Sequence, residues 1–411
     1  LQILISGASI AGPVLAYWMN RYGFDVTVVE RAANLRKTGG HAVDLFRPAM
    51  EISAKMGVLP QIEARATGTN RLTVFREGQT RPTEIDLTKI YAAASDRHVE
   101  IMRDDLSEIY YEVTRDDVEY IFGDTITAID PDGEVTFEHG PTRNFDVVVG
   151  ADGLHSNVRR LTFGEDADLT RFIGGYLAVL SAPKTLANAG QMIGHVGVGR
   201  IAAIYTAEHL DDARVVFLFR VARQLDYDHR DVSGQKALLS GALSGMAAQV
   251  DRWLEEIDRT PAFYFDAITQ LRMNIWSRRR VTLVGDAGYC PGPAVGGSTS
   301  LAVLGAYVLA GELARAEGDH LRAFAAYELR MREPVQASRT FARGAAKSIV
   351  PESRFGVWAL THGAQLVSRL PGSLSRSMAK LNTKGVRLYD SMPVPDYTDD
   401  DYTDDKVPGE E

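Results

Sequence analysis

The residues best spaced to do chemistry stand at the start of the chain, in GASIAG at residues 7–12, with Glu30 eighteen positions beyond Gly12. A dinucleotide-binding loop normally reads G-x-G-x-x-G, with an acid about 20 residues further on. Here Ser9 takes the middle place. Gly7 permits a tight turn and Gly12 lets the next helix pack close to its strand. Ser9, the next smallest polar choice, leaves the backbone near a pyrophosphate and adds a hydroxyl that can donate to it. Ile10 and Ala11 carry the chain to a helix N-terminus, where free N–H groups favour negative charge. Glu30 would accept hydrogen bonds from an adenosine ribose. Alone, G-x-S-x-x-G also suits a plain α/β unit with a glycine turn.

The elements needed to position this loop are legible on both sides of it. LQILIS reads as a short buried parallel strand. Residues 13–22 place Val14, Leu15, Trp18 and Met19 at helical spacing, and GFDVTVVER reads as a second strand ending at Glu30. Two later stretches repeat the strand-then-loop form. FDVVVGADGLHSNVRR (145–160) runs into Asp152, Gly153, Ser156 and Arg159. RRVTLVGDAGYCPGPAVGGSTSLAVLGAYVLAGEL (279–313) runs into Asp286, a Pro/Gly loop and a helix rich in small residues.

These three units, in order over about residues 1–345, resemble the group A flavoprotein monooxygenases, aromatic hydroxylases similar to para-hydroxybenzoate hydroxylase. Within that family they look most like the polyketide and tetracycline-inactivating hydroxylases. The resemblance implies an α/β fold: a Rossmann-like FAD-binding domain with an inserted β-sheet substrate domain and a C-terminal bridging helix. It implies that Gly7, Ser9, Ile10, Ala11 and Gly12 hold the FAD pyrophosphate, Glu30 the ribose, and Arg31 the adenine edge. Arg103, in an R-x-x-L helix, would reach the cofactor, and the Ile126 backbone would touch adenine. Asp286 would bind the ribityl or pyrophosphate region. Asp152 and Arg159 match a motif tied to both FAD and NAD(P)H. Pro293, Gly296, Gly297, Ser298 and Thr299 would lie by the flavin ring, where a helix N-terminus can face the charge of reduced flavin. Tyr289, Ser298 and Ser300 replace the His, Gly and Asn of many relatives, which points to a divergent branch.

The family's reaction consumes NADPH or NADH and O2 and places one oxygen atom on an aromatic or polycyclic, polyketide- or tetracycline-like small molecule, a form of antibiotic modification. The cofactor carries the hard chemistry, so no side chain is assigned as catalytic. Asp44, Arg47, Tyr176 and Arg220 are candidate pocket residues; Tyr176, His195 and Arg220 also suit structural or outward-facing positions. Two other readings stay open: a flavin-dependent reductase or dehydrogenase of an isoprenoid or polyketide, and a non-catalytic flavoprotein that sequesters a polycyclic drug.

Residues 1–70, 101–165 and 276–345 are expected to form the FAD domain, and 71–100 with 166–275, rich in β-branched and aromatic residues, the substrate domain. Residues 346–388 are expected to form a C-terminal helical segment, in which 352–370 is amphipathic; the resemblance implies that a helix there braces the two domains. Membrane-surface binding draws little support from Arg354 and Arg369, and no membrane partner is expected. Of the net charge of −9, −8 falls in residues 389–411, read as a disordered acidic tail with DYTDD repeated. The body is therefore almost neutral, which excludes a basic nucleic-acid face. No apolar run spans a bilayer. LQILIS is too short for a signal peptide, and a chain that lacks a first Met is expected to lack residues at its start. One cysteine, Cys290, excludes a disulfide reductase and fits the cytoplasm, as a small buried side chain. There is no second Gly-rich βαβ unit, no W-x-W and no metal-ligand spacing; His229 reads as an exposed turn. A monomer or homodimer is expected.

Overall fold

The computed structural model describes residues 1–397 except 36–38, 95–96, 166–168, 229–230, 293–296 and 370–383. The expectations for Pro293, Gly296, His229 and residues 398–411 lie outside the described residues. β1 (Gln2–Ser6) leads through the glycine loop into α1 (Ala11–Arg21) and β2 (Asp25–Glu30). β3 (Ala42–Leu45), α2 (Arg47–Lys55) and α3 (Leu59–Ala64) follow. The chain then visits a second sheet with β4 (Arg71–Arg76) and β5 (Thr83–Asp86). It returns through α4 (Leu87–Ala94), β6 (Val99–Met102), α5 (Arg103–Glu112) and β7 (Glu119–Phe122). Next come β8 (Ile126–Ile129), β9 (Glu134–Phe137), β10 (Arg143–Asn144), β11 (Val147–Gly150) and α6 (Asn157–Phe163). A second excursion holds β12 (Thr170–Pro183), β13 (Gln191–Gly197), β14 (Arg200–Tyr205), β15 (Asp212–Arg220), α7 (Val232–Leu243), α8 (Ala248–Leu254) and β16 (Phe263–Leu271). β17 (Ser277–Arg278), β18 (Val281–Leu283), α9 (Asp286–Tyr289), α10 (Ser298–Arg315), α11 (His320–Ile349), α12 (Arg354–Arg369) and α13 (Lys384–Asp390) complete it.

β1, β11 and β18 are mostly apolar because each lies inside the sheet with both faces covered. They sit inside a six-stranded sheet ordered β17-β18-β11-β1-β2-β7, parallel apart from the β17 hairpin. α10 is buried from Ser300 to Leu313, since its alanines and glycines let it settle between α1 and α11. This layer ends all three strand–loop units on one edge, at the carboxyl ends of β1, β11 and β18, where open α/β sheets bind ligands.

The inserted sheet is ordered β16-β12-β15-β14-β13-β4-β5, antiparallel except for β13 beside β4. Alternation gives it two unlike faces. Tyr176, Phe217, Phe265 and their neighbours pack under α7 and α8 with Leu239 and Trp253. Leu177, Val179, Leu218 and Ile268 turn the other way, toward the first sheet's loops and Val350. α12 lies across the β4–β5 end of that second face, with Val357 against Val74, Ile85 and Val196. The expected fold class stands.

One expectation is corrected. The acidic segment does not leave the body at residue 389. Tyr389 is buried and stacks on Phe46 at 5.6 Å, and the Tyr397 hydroxyl donates to Glu312 Oε1 at 2.6 Å. Charge averaged over 389–411 hides these aromatic anchors in residues 389–397.

Candidate functional site

The first loop is built so that only glycine fits at its two ends. Gly7 has φ +109°, and a Cβ there would lie 2.6 Å from the Ala151 carbonyl oxygen; a Cβ on Gly12 would overlap the Gly7 carbonyl. The Gly7 N–H donates to Val29 O at 2.8 Å, fixing the loop between β1 and β2. Ile10 precedes α1 without capping it through a side chain, and the first turn holds no acid. The amides of Ala11 and Gly12 and the positive end of the helix therefore face the loop without a side-chain counter-charge. Glu30 closes β2 and accepts from Ala8 N at 3.0 Å and Ala32 N at 2.9 Å. Arg31 is exposed.

α5 clamps this loop from the far side. Arg103 Nη2 donates to the Ser9 hydroxyl at 3.1 Å, and the Ser107 hydroxyl donates to Ser9 O at 3.0 Å. The Arg103 amide donates to His41 O at 3.1 Å. Its guanidinium charge is also felt by His41, Asp104, Tyr264 and Asp286, which puts it at the centre of the site.

The third loop meets the first at glycine. A Cβ on Gly285 (φ +65°) would touch Ala302 and Ala11 at 3.2–3.3 Å. Asp286 follows it, and burial raises its carboxyl above the usual range against the pull of Arg103 and a hydrogen bond with Cys290. Gly297, left-handed at φ +76°, introduces the eighteen residues of α10, which have no side-chain cap and no acid in the first turn. Ser298 and Thr299 are half-buried there, while the Ser300 hydroxyl accepts from Phe46 N at 2.9 Å and ties α10 to β3. Tyr289 turns away from the site. Its hydroxyl lies against Gly305 and accepts from Tyr327 at 3.1 Å, and Trp276 meets its ring edge-on.

The middle loop is structural in its side chains. Both Asp152 carboxylate oxygens serve α6, accepting from Ser156 Oγ, from Asn157 N at 2.8 Å and from Val158 N at 3.1 Å. Arg159 is fully buried and donates to Ala287 O at 2.9 Å and Leu154 O at 2.6 Å, lashing α6 to α9. In these bonds the guanidinium faces protein, so any part it plays in the motif tied to FAD and NAD(P)H would run through the placement of α6 and α9. Ile126 is buried in β8, and its carbonyl accepts from Asn157 Nδ2.

The candidate pocket residues separate. Tyr176 lies on the helix-covered face, stacked between Phe219 and Phe265 at 5.3 Å each, with its hydroxyl accepting from Leu225 N at 2.8 Å. The pocket reading of Tyr176 is corrected: strand alternation sends it into the other core. His195 shares that side, stacked on Phe75 and bonded to Gln249. Arg220 pairs with Glu352 at 2.6 Å. Arg47 donates to Asp390 O at 2.6 Å and Met392 O at 2.9 Å, so it anchors the C-terminal segment. Asp44 meets His98 Nε2 at 2.7 Å and stands opposite Glu100, whose carboxyl is raised by burial and then by the Asp44 charge.

Four residues that sequence reasoning missed cross from the inserted sheet toward the loops. The Tyr205 hydroxyl accepts from Ala42 N at 2.7 Å, and Arg214 Nε donates to Gly40 O at 3.0 Å. Tyr264 donates to Asp266 Oδ2 at 3.2 Å, and the same oxygen meets His155 Nε2 at 2.7 Å. Part of the signal was present: Tyr264, Asp266 and Gln270 fall at alternate positions of β16, opposite Phe263, Phe265, Ala267 and Leu271. Choosing the loop-facing set required the register.

Comparison with known proteins gives the setting. The family described as FAD binding domain matches residues 1–323. A flavin-dependent monooxygenase of Legionella longbeachae is 35% identical over 344 residues, covering 83% of this chain and 87% of its own. An uncharacterised protein of Mycobacterium tuberculosis is 39% identical over 329 residues, covering 79% and 88%. The crystal structure of the tetracycline destructase Tet(51) superimposes with a TM-score of 0.79 at 30% identity, covering 96% of this chain and 99% of that one.

Proposed function

This chain belongs to the FAD binding domain family of flavin-dependent monooxygenases, and from that premise we propose that it hydroxylates an aromatic or polycyclic, tetracycline-like small molecule in the cytoplasm with electrons from NADPH or NADH. Bound FAD supplies electron transfer and oxygen activation. The protein's task is to hold the cofactor, orient the substrate and keep water out.

The residues fit the cofactor. Loop 7–12 offers space no side chain fills and an uncapped helix end, so Gly7, Ser9, Ile10, Ala11 and Gly12 would hold the pyrophosphate, with Arg103 supplying positive charge beside Ser9. Glu30 would take the ribose. Arg31 and the Ile126 backbone would border the adenine, and Asp286 the ribityl chain. Asp152 would act through α6, whose first turn it caps. Gly297, Ser298 and Thr299 would bring the positive end of α10 to the flavin ring, with Pro293 and Gly296 in the same loop.

The observation that carries the substrate class is the likeness to a tetracycline destructase reported above; on the inserted sheet's loop-facing side, Leu177, Val179, Leu218 and Ile268 are buried with Val350, and Tyr264 and Asp266 add a polar edge. A fused-ring ligand would direct its hydroxyls toward that polar edge. Asp44 borders the same space. The likeness to a tetracycline destructase over nearly the whole chain supports this class.

The test is the visible spectrum of the purified protein, then anaerobic NADPH or NADH addition with and without tetracyclines and simpler polycyclic phenols. Faster bleaching with one compound, and a product gaining one oxygen in air, is the expected result. A product gaining two hydrogens would make the protein a reductase. Binding without faster bleaching would make it a sequestering flavoprotein.

A further inference from the structure

Arg339 lies on α11 where that helix meets the end of β16, and only one side of its guanidinium is used. Nη1 donates to Met273 O at 2.9 Å, which fixes the group in place. Nε and Nη2 are shut off from water and have no hydrogen-bond partner. These two atoms form one edge of the guanidinium plane. Their N–H bonds run parallel along it and match two oxygens of a single oxyanion. Leaving such donors buried and unpaired costs free energy, so an edge of this kind is made for a ligand.

The surrounding charge points the same way. Burial lowers the Arg339 pKa to about 10; the Cys290 thiol opposes that shift and the Arg272 charge adds to it. No carboxylate among the described residues offsets this guanidinium. Arg272 is exposed, one residue before the carbonyl that anchors Arg339, and its own amide is tied to Leu169 O at 2.6 Å. A fixed fork beside a second cation suits an anion that carries two charges. We propose that Arg339 and Arg272 form a phosphate-binding site at the junction of β16 and α11, in which the Nε and Nη2 edge of Arg339 takes two phosphate oxygens and Arg272 reaches a third. A carboxylate has one charge and would leave one cation unmatched. The edge is covered, so entry requires the exposed Arg272 side chain to move, and Arg272 then closes over the anion. The phosphate is either free inorganic phosphate or the phosphate monoester of a nucleotide. The site is separate from the loop at residues 7–12 and does not depend on the reaction proposed above.

The full chain, loaded with FAD, is titrated with sodium phosphate, and with sodium chloride at equal ionic strength, while the thermal midpoint is followed. A saturable rise with phosphate alone is expected, because a ligand of the folded state raises the midpoint. Arg339→Met should abolish the rise. Arg272→Gln, at an exposed position, should keep its flavin and raise the phosphate dissociation constant roughly tenfold. NADP+ carries a phosphate monoester that NAD+ lacks. Displacement of phosphate by NADP+ and not by NAD+ would assign the site to a nucleotide, and displacement by neither would assign it to free phosphate; both results support the site. Four results would overturn it: no difference between phosphate and chloride, an equal rise with sodium acetate, a full rise in Arg339→Met, or an unchanged phosphate affinity in Arg272→Gln. The last of these decides the matter even where Arg339→Met fails to fold.

Discussion

At Ser9 a hydroxyl occupies the place where a dinucleotide loop usually has its middle glycine, and Arg103 donates to it at 3.1 Å. Serine is small enough for a pyrophosphate to pass, and glycine would be smaller still. Ser9→Gly is therefore expected to keep FAD, and Ser9→Glu, which adds bulk and negative charge, to lose it. Flavin absorbance after gel filtration checks both, and a fully yellow Ser9→Glu protein would refute the placement. Tyr176 gives the opposite case. Its hydroxyl serves Leu225 N in the helix-covered core, so Tyr176→Phe should cost about 1 kcal/mol in urea unfolding and leave the substrate KM unchanged. Gly7 and Gly12 were legible in sequence because their constraint is local, a turn and a close approach. Tyr176 was not, because its face depends on register with β15 and β16. His41 adds a pH dependence. Burial and then Arg103 hold its pKa down to about 4 from 6.5. The unfolded chain takes up this proton as pH falls through 6.5, while the folded chain resists until about 4. The His41 contribution is thus complete above pH 6.5 and fades toward pH 4. His41→Gln should shrink the loss of urea midpoint between pH 7 and pH 5.

Among the elements, the segment from α13 to residue 397 behaves as a strap. Tyr389 lies against Gly297, in front of α10, and is parallel to Phe46, the residue before α2. Asp390 and Met392 hold Arg47 through their carbonyls, and the Arg315 guanidinium stands over the Tyr397 ring at 5.0 Å. The strap thus joins β3, α2 and α10 at the loop proposed to face the flavin. Removing residues 384–411 should destabilise the protein by roughly 3–6 kcal/mol, from the lost burial of Tyr389, Met392 and Tyr397, and should weaken FAD binding. A chain ending after residue 397 should match the full chain in thermal midpoint and flavin content. Equal midpoints for both truncations would show that the strap adds nothing. Sequence reading saw the acids of this segment and averaged them over 389–411. The two tyrosines spaced eight apart were the contrary signal, but their partners Phe46 and Glu312 lie far away in the chain, beyond any local pattern.

For the molecule as a whole, the question is how two sheets with separate cores hold one cleft. The order of strand–loop units was legible because each announces itself with an apolar run and a glycine turn. The docking was not, since the contacts that make it join distant residues, as in the Arg214 bond to Gly40 across 174 positions. The tightest seam is at the end of β16. The Leu271 amide donates to Cys290 O at 2.9 Å, immediately beyond α9. Gln270, buried beside it, donates to Pro291 O at 3.1 Å and to Arg339 O on α11 at 2.9 Å. Arg339 returns a bond to Met273 O at 2.9 Å. One amide side chain therefore fixes the inserted sheet, the loop after Asp286 and the longest helix relative to one another. Gln270→Met keeps most of the volume but strands the Pro291 carbonyl, a cost of about 1–3 kcal/mol, and removes a second bond from the Arg339 carbonyl, which keeps its place in the α11 ladder. Because those carbonyls belong to the seam and not to either core, the loss should reach the cleft as well as the fold. The urea midpoint should fall, the FAD dissociation constant should rise, and NAD(P)H oxidation should become less coupled to product, with more hydrogen peroxide released. A variant that loses stability yet keeps flavin affinity and coupling would show that the cleft is held elsewhere, by the Tyr205 and Arg214 bonds across β3.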